Sequence, residues 1–343
     1  MAKRKAVSIK DIAKASGSSL TTVSLVLNSR DRRISQATRQ RVLDAVERLG
    51  YRPSRLAQAL QAQRAGMIAI LVPQLRHAFA DVYFGELISA VHDQASAAGY
   101  KVLLEVAHPE YIAAGQLLEI FDRRVIDGLL CLGITSRDDF LRSFEDGARP
   151  VMIVNNYVDG MELNYVRCDY FDAGRVAAEH LLQAGHRKIG LIRGALEVQT
   201  MVDLIRGFEN TLRAAGASLP DDCIVDGLYT EEGGSAGAIE LMRRRPELTA
   251  VMAGNDKMAI GAMSGLKQSG RRVPEDVSVI GCDDIHQGEF MDPPLTTVHT
   301  PLYALGRMAC ERLLDVVSGK MAAVREVHPV CLTARKSVAP PRK

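Results

Sequence analysis

Hydrophobic residues recur at helical spacing along the first fifty residues and predict three short amphipathic helices. Ser8 stands where an N-cap would precede the first helix, and the run Ser16-Gly17-Ser18 interrupts the pattern. Ser19 then caps the second helix and Ser35 the third, which Gly50 is placed to end. The pattern therefore predicts a small, self-contained helical domain.

The second helix has two unlike faces. Val23, Val26 and Leu27 form an inward apolar stripe, whereas the opposite face is short-chained and uncharged: Leu20, Thr21, Ser24, Leu25 and Asn28. Such a face fits the base edges of a DNA major groove while surrounding cations contact phosphates. An ordinary helical hairpin is the alternative for these residues, and packing inside the domain is the alternative for Leu20 and Leu25.

From Met67 onward, apolar runs alternate with amphipathic stretches in two successive series. The first series predicts strands at 67–73, 101–107, 127–133 and 150–156, with helices near 82–99, 111–124 and 137–147. The second predicts strands at 188–194, 224–229, 249–254 and 277–283, with helices near 171–185, 203–216, 233–245 and 256–270.

This order predicts an α/β protein with two doubly wound subdomains of parallel sheet. Open sheets of this kind bind ligands beyond the carboxyl ends of their strands, so a cleft between the subdomains is the expected pocket. A late helix at 302–318 and the segment 327–333 follow both series. They are expected to return and complete the sheets.

Charge is distributed unevenly along the 343 residues. The chain carries a formal net charge of +2, but residues 1–64 hold fourteen Lys/Arg and four Asp/Glu, a net +10, against 29 and 37 in the remainder, a net −8. A basic end on an acidic body indicates a polyanion-binding domain joined to a domain with another task. With 47% hydrophobic residues, the body can bury a large core.

The six cysteines are scattered singly, which is typical of reduced, buried thiols. No metal-ligand spacing, phosphate-binding loop or nucleophile and base arrangement occurs, so neither a cofactor nor a metal is expected. The start lacks an apolar signal region, and no run reaches the length of a membrane span. A cytoplasmic protein without membrane partners is expected.

Five motifs, in order, carry a resemblance to a known family: DIAKASGSSLTTVSLVLN, ISQATRQRVLDAVERLGYRPSRLAQAL, GNDKMAIGAM, RRVPEDVSVIGCDD and PPLTTVHTP. Across nearly its full length the chain resembles the lactose-repressor/galactose-repressor family of bacterial transcription regulators. The resemblance implies a helix-turn-helix headpiece, a hinge helix and a two-lobed core similar to periplasmic sugar-binding proteins. It also implies a homodimer that binds a near-palindromic DNA operator under the control of a small effector.

The resemblance places DNA contacts on the headpiece and hinge. Leu20, Thr21 and Leu25 match base-reading positions, with Asn28 and Arg32 near the helix end. Ser19, Thr22 and Ser24 match phosphate contacts, and Ala57 and Leu60 match the hinge residues at the minor groove, where leucine is the wedge. Because Leu25 replaces a polar residue of many relatives, a thymine methyl contact is expected there. A plain linker is the alternative for the hinge.

The resemblance also places effector contacts in the cleft, at Tyr83, Phe84, Asn155, Asn156, Thr200, Leu204, Asn255 and Asp283. Leu204 and Asn156 stand where sugar-responsive members often have arginine. Their absence predicts a less polar or unusual effector, such as a sugar derivative or a nucleoside. A protein effector, or none, is left open.

The expected domains are a headpiece at 1–52, a hinge helix at 53–63 and a core at 64–343. Within the core, the expected lobes are about 64–165 plus 296–325 and about 166–295 plus 326–337. The sequence predicts a repressor of a catabolic or transport operon rather than an enzyme. A solute-binding receptor is the alternative, which residues 1–61 argue against. Effector identity, the direction of its effect, the operator sequence and any assembly beyond a dimer are not predicted.

Overall fold

The computed structural model describes residues 7–27, 34–51, 64–74 and 81–342. The chain divides into two compact units, Met1–Ala65 and Gly66–Lys343, which we call the headpiece unit and the core unit. Among the described residues, no helix combines the length and the apolar character that crossing a membrane requires.

The headpiece unit contains the three predicted helices: α1 Ile9–Ser16, α2 Leu20–Leu27 and α3 Gln36–Leu49. They enclose a small core of five buried residues, Ile12, Val23, Val26, Val42 and Ala45. Gly50 follows α3 with φ +61°, and its N–H donates to carbonyls of the last helical turn. Residues with a Cβ atom rarely adopt this backbone angle.

The core unit is built from two six-stranded sheets, each covered by helices. The first lobe contains β1 Met67–Pro73, α4 Val82–Ala97, β2 Lys101–Ala107, α5 Pro109–Ala113, α6 Gln116–Asp122, β3 Gly128–Leu132, a 3₁₀ turn Asp139–Phe144, β4 Val151–Val154 and β5 Tyr165–Cys168. The second lobe contains α7 Tyr170–Gln183, β6 Ile189–Arg193, α8 Gln199–Ala214, a 3₁₀ turn Asp221–Cys223, β7 Ile224–Asp226, α9 Glu231–Arg244, β8 Ala250–Ala253, α10 Asp256–Gln268, β9 Ser278–Asp283, a 3₁₀ turn His286–Phe290 and β10 Thr296–His299. Helix α11 Leu302–Val317, β11 Arg325–His328 and β12 Cys331–Thr333 follow.

The chain passes between the lobes three times. The strand order is β11-β5-β4-β3-β1-β2 in the first sheet and β12-β10-β9-β8-β6-β7 in the second, and only the β10–β12 pair is antiparallel among the described strands. The crossings therefore follow β5, β10 and β11. Helix α11 returns to the first lobe, where it packs against α4 and the sheet.

Three strands correct the expected lobe boundaries. Segments 165–168 and 325–328 belong to the first sheet, whereas 296–299 belongs to the second, because each strand completes its pairing before the chain crosses. Val166 lies opposite Val154, Thr297 opposite Gly281, and Val327 opposite Arg167. The predicted region 111–124 is also divided into two short helices, and 137–147 contains a 3₁₀ turn rather than an α-helix.

Helices α7 and α8 of the second lobe pack with their backbones in contact. A Cβ atom on Gly174 would lie 2.0 Å from the Leu204 carbonyl oxygen, and one on Gly207 would lie 1.9 Å from the Phe171 carbonyl oxygen. Only glycine permits the two helix backbones to lie this close together. The contact fixes the position of α8 relative to α7.

Candidate functional site

Helix α2, which is predicted to contact DNA, is held in place by its cap and by the headpiece core. The Thr22 backbone N–H donates to Ser19 Oγ over 3.0 Å, and the hydroxyls of Ser19 and Thr22 lie 2.8 Å apart. These two predicted phosphate contacts therefore also form the helix cap, which stabilises the turn before α2.

The outward face of α2 has the predicted character. Leu20 is 45% exposed and Thr21 is exposed, while Ser24 and Leu25 are half-buried. Within the described part of the headpiece, Leu20 and Leu25 are not members of the core cluster. The other four predicted DNA contacts lie outside the described residues: Asn28, Arg32, Ala57 and Leu60.

A cavity of about 480 Å³ lies between the two lobes of the core unit. Its wall is formed at the carboxyl ends of strands from both sheets, as expected for parallel α/β folds. Seven of the eight predicted effector contacts line it: Tyr83, Phe84, Asn155, Asn156, Thr200, Asn255 and Asp283.

Asn155 holds the aromatic wall together. Its Nδ2 donates to Tyr83 Oη over 3.0 Å and to Tyr170 Oη over 2.9 Å, and its Oδ1 accepts from the Cys168 N–H. Both amide hydrogens are thus already used, so Asn155 positions the two tyrosines.

Asn156 joins the lobes. Its Nδ2 donates to the Ile134 carbonyl over 2.7 Å, and its Oδ1 accepts from the Thr200 N–H at the start of α8 over 3.2 Å. The side chain is buried. Asn156 therefore satisfies one of the orphan N–H groups of the helix and holds Thr200 at the cavity wall.

Asp283 is the buried acid of the site. Tyr170 Oη donates to its Oδ1 over 3.3 Å, and its backbone lies at φ +116°. Burial and the neighbouring Asp256 raise the pKa of Asp283 well above its ordinary value. A protonated carboxyl can both donate to and accept from a neutral ligand.

Leu204 does not line the cavity, in contrast to the prediction. It is fully buried in a hydrophobic cluster that contains residues of both lobes, one helical turn after Thr200 and Met201, which do line the cavity. The physical reason is the contact between α7 and α8, which turns this position of α8 toward Gly174.

Sequence reasoning missed a charged pair at the cavity wall. The Lys257 ammonium, in the first turn of α10, donates to Asp81 Oδ2 over 2.6 Å. The other Asp81 oxygen accepts the N–H groups of Tyr83 and Phe84 as the N-cap of α4. The position of Asp81 just before a helical pattern was a signal for the cap, but nothing in the sequence indicated the partner.

Tyr229 was missed as well. Leu228 and Tyr229 both have left-handed backbone angles, at φ +54° and +59°, which are uncommon for residues with side chains. The Tyr229 ring packs over Gly194, and its buried hydroxyl has no hydrogen-bond partner among the described residues. A buried orphan hydroxyl at a cavity wall is a candidate ligand contact.

A three-helix headpiece with an exposed, uncharged helix face, joined to a two-lobed core that encloses a cavity, is the architecture of a ligand-regulated DNA-binding protein. Comparisons with known proteins support this class of protein. Residues 8–54 match the family described as bacterial regulatory proteins, lacI family, and residues 178–338 match the periplasmic binding protein-like domain.

Relatives match over the whole chain. The HTH-type transcriptional repressor PurR of Haemophilus influenzae strain PittEE is 33% identical over 334 residues, 96% of this chain and 98% of the relative. PurR of Proteus mirabilis strain HI4320 is 34% identical over 336 residues, 96% of each chain. A solved lac repressor dimer, bound to operator and the anti-inducer ONPF, is 26% identical with a TM-score of 0.85 and covers 98% of this chain and all of that one.

The chain belongs to the LacI family of bacterial regulatory proteins. It is a DNA-binding transcriptional repressor with an effector-binding core, which sets aside the solute-binding receptor.

Proposed function

We propose that this repressor binds a near-palindromic operator as a homodimer in the cytoplasm, and that it catalyses no reaction. The outward face of α2 carries the proposal, because Leu20 and Thr21 are exposed on a capped helix while Val23 and Val26 are buried. A twofold dimer presents two such helices to two half-sites of a palindrome. The lac repressor structure that resembles this chain is a dimer on its operator.

Selection of bound duplexes from a random pool, followed by footprinting, tests the operator proposal. We expect a two-half-site footprint, one dimer per duplex, and affinity that falls steeply with salt because residues 1–64 carry a net +10. Stoichiometric binding by a monomer, or affinity that does not respond to salt, would contradict the proposal.

The effector that best fits the cavity is uncharged, with a broad apolar face and few hydrogen-bonding groups. Four aromatic side chains line the cavity, Tyr83, Phe84, Tyr170 and Tyr229. Nucleosides, deoxy sugars, aryl glycosides and polyol derivatives that carry an apolar group have this character.

A free hexose fits less well because the polar groups of the wall are largely committed. Asn155 and Asn156 bond to other parts of the protein, and Leu204 provides no donor. Each hydroxyl buried without a partner costs about 1 to 3 kcal/mol. The polar side chains that remain on the wall include Asp283, Thr200, Asn255 and the orphan Tyr229 hydroxyl, beside the Lys257–Asp81 pair, and we propose that they contact one polar edge of a ligand.

Relatives of known structure bind several small molecules. CelR was solved with cellobiose (29% identity, TM-score 0.75, covering 96% of this chain and 99% of that one), and a regulator from Enterococcus faecium was solved with ribose. The cavity between the lobes is proposed as the effector site of this chain.

A thermal-shift screen of nucleosides, aryl glycosides, polyol derivatives with an apolar group and free hexoses tests the effector proposal. We expect stabilisation by members of the first three groups, and a weaker response in Phe84→Leu. Phe121→Leu is the matched control, because Phe121 packs in the other hydrophobic cluster of the first lobe. Stabilisation by micromolar glucose, galactose or ribose would refute it.

A further inference from the structure

Three residues meet across the cleft beside the cavity: Tyr157 and Arg167 of the first lobe and Asp203 of α8 in the second. We call them the Asp203 cluster. Tyr157 Oη donates to Asp203 Oδ2 over 2.9 Å, and an Arg167 guanidinium nitrogen lies 3.9 Å from the same oxygen. The Arg167 guanidinium carbon also lies 4.6 Å from the centre of the Tyr157 ring.

The cluster is sheltered from water. Asp203 is 6% exposed, and the Arg167 side chain is 14% exposed. Electrostatic attraction is stronger in such surroundings than at the surface, because solvent screens it less. The same Arg167 nitrogen, Nη1, donates to the Cys168 carbonyl over 3.1 Å, which holds the guanidinium in place. The first lobe thus presents one hydrogen-bond donor, Tyr157, and one neighbouring positive charge, Arg167, to α8.

The position of Asp203 on α8 connects the Asp203 cluster to the cavity wall. Asp203 lies one helical turn after Thr200 and two residues after Met201, both of which line the cavity. Thr200 is itself held by Asn156, the residue next to Tyr157. Two consecutive residues of the first lobe therefore fix two successive turns of α8.

We propose that Asp203 is a positioning residue of the effector site, which acts through Tyr157 and Arg167 to hold the cavity-lining turn of α8 against the first lobe. The inference builds on the proposed effector site. According to this inference, the part of α8 that lines the cavity is held by a polar contact between the lobes. That contact is made by Asp203, the residue before the buried Leu204. Ligand contact falls to Thr200 and Met201.

Hydrogen–deuterium exchange of the full chain, without operator or added ligand, tests this assignment. The variants are Tyr157→Phe, which removes one hydroxyl, and Asp203→Asn, which keeps an acceptor for Tyr157 but loses the charge that faces Arg167 and the exposed Arg206, each over 3.9 Å. The control is Asp226→Asn, which removes the Arg193–Asp226 pair inside the second lobe.

In Tyr157→Phe, we expect residues 198–204 to exchange about fivefold faster, the factor that corresponds to one net hydrogen bond. Strand β6 should be unchanged. Asp203→Asn should give a smaller acceleration, because the Tyr157 bond persists. The Asp226→Asn control should leave 198–204 as in the unaltered protein.

Unchanged exchange of 198–204 in both variants would overturn the proposal, and so would equal acceleration in β6 and α8, which indicates loss of overall stability instead of positioning. Equal acceleration of residues 198–204 in the Asp226→Asn control would also overturn the proposal. Since neither DNA nor effector enters the measurement, such a failure leaves the proposed function standing.

Discussion

Lys257 of the second lobe and Asp81 of the first form an ion pair 2.6 Å long at the cavity wall, and both side chains are less than one-fifth exposed. The pair joins the first turn of α10 to the N-cap of α4. Removal of one partner from such a pair leaves the other charge partly desolvated.

We therefore expect Lys257→Met to lower the free energy of unfolding by about 2 kcal/mol, because methionine keeps the length of the side chain but not its charge. Urea denaturation measures this change. Lys267→Met, on the exposed face of the same helix, is the control and should be nearly neutral. Addition of Asp81→Asn to Lys257→Met should recover part of the loss. Equal effects of the two lysine substitutions would show that the ion pair contributes nothing.

Gly174→Ala should destabilise the core by about 3 kcal/mol, because the new methyl would lie 2.0 Å from the Leu204 carbonyl and force α7 and α8 apart. Gly85→Ala in α4 is the matched control, since a Cβ there has nothing within 4 Å. That substitution should stabilise the protein by up to about 1 kcal/mol through helix propensity. A neutral Gly174→Ala in thermal unfolding would contradict the backbone contact.

Asp256 should make stability depend on pH. Burial raises the pKa of Asp256 from 3.8 to about 7, against hydrogen bonds from Thr297 and Ile285 that lower it. Between about pH 4 and 7 the folded protein keeps a proton that the unfolded chain releases, so the contribution of Asp256 is greatest below pH 4 and falls as pH rises to about 7. Relative to Asp256→Asn, the unaltered protein should lose up to about 4 kcal/mol over this range. A constant difference between the two in urea titrations would refute this.

Leu25 should read a thymine methyl. Single thymine-to-uracil replacements across a selected operator should lower affinity by up to ~1 kcal/mol at one position per half-site, and Leu25→Ala should abolish that effect. Leu43→Ala, at another partly exposed leucine of the headpiece, should preserve it. A flat uracil scan with the unaltered protein would place Leu25 in the packing of the headpiece.

The helices and long strands were predictable because their signals are local. Ser35 and Gly50 delimit α3 as expected, since capping depends on neighbouring residues alone. Strands β5 Tyr165–Cys168 and β10 Thr296–His299 were missed because polar residues interrupt them, so neither forms an apolar run like the equally short β4 and β8. Their assignment depends on distant partners.

The site was predictable only in outline. The sequence indicated that Asn155 and Asn156 would reach the cleft, but not that their amides are used within the protein. Leu204 was misplaced because its orientation depends on a glycine thirty residues away. Tyr229 was missed because its position depends on backbone angles that a sequence does not display.

The side chains of Asn155 and Asn156 form hydrogen bonds within the protein. Maintenance of the pocket shape and contact with the ligand, two roles that the same residues often share, are therefore assigned to different residues here. Asn155 and Asn156 maintain the shape of the pocket, while Thr200, Met201 and the Leu228–Tyr229 turn present the chemistry. This division allows ligand specificity to change during evolution, because the residues that contact the ligand can vary while the two asparagines maintain the cavity. Redesign for a new effector should begin with Thr200, Met201 and Leu228 and leave the two asparagines unchanged.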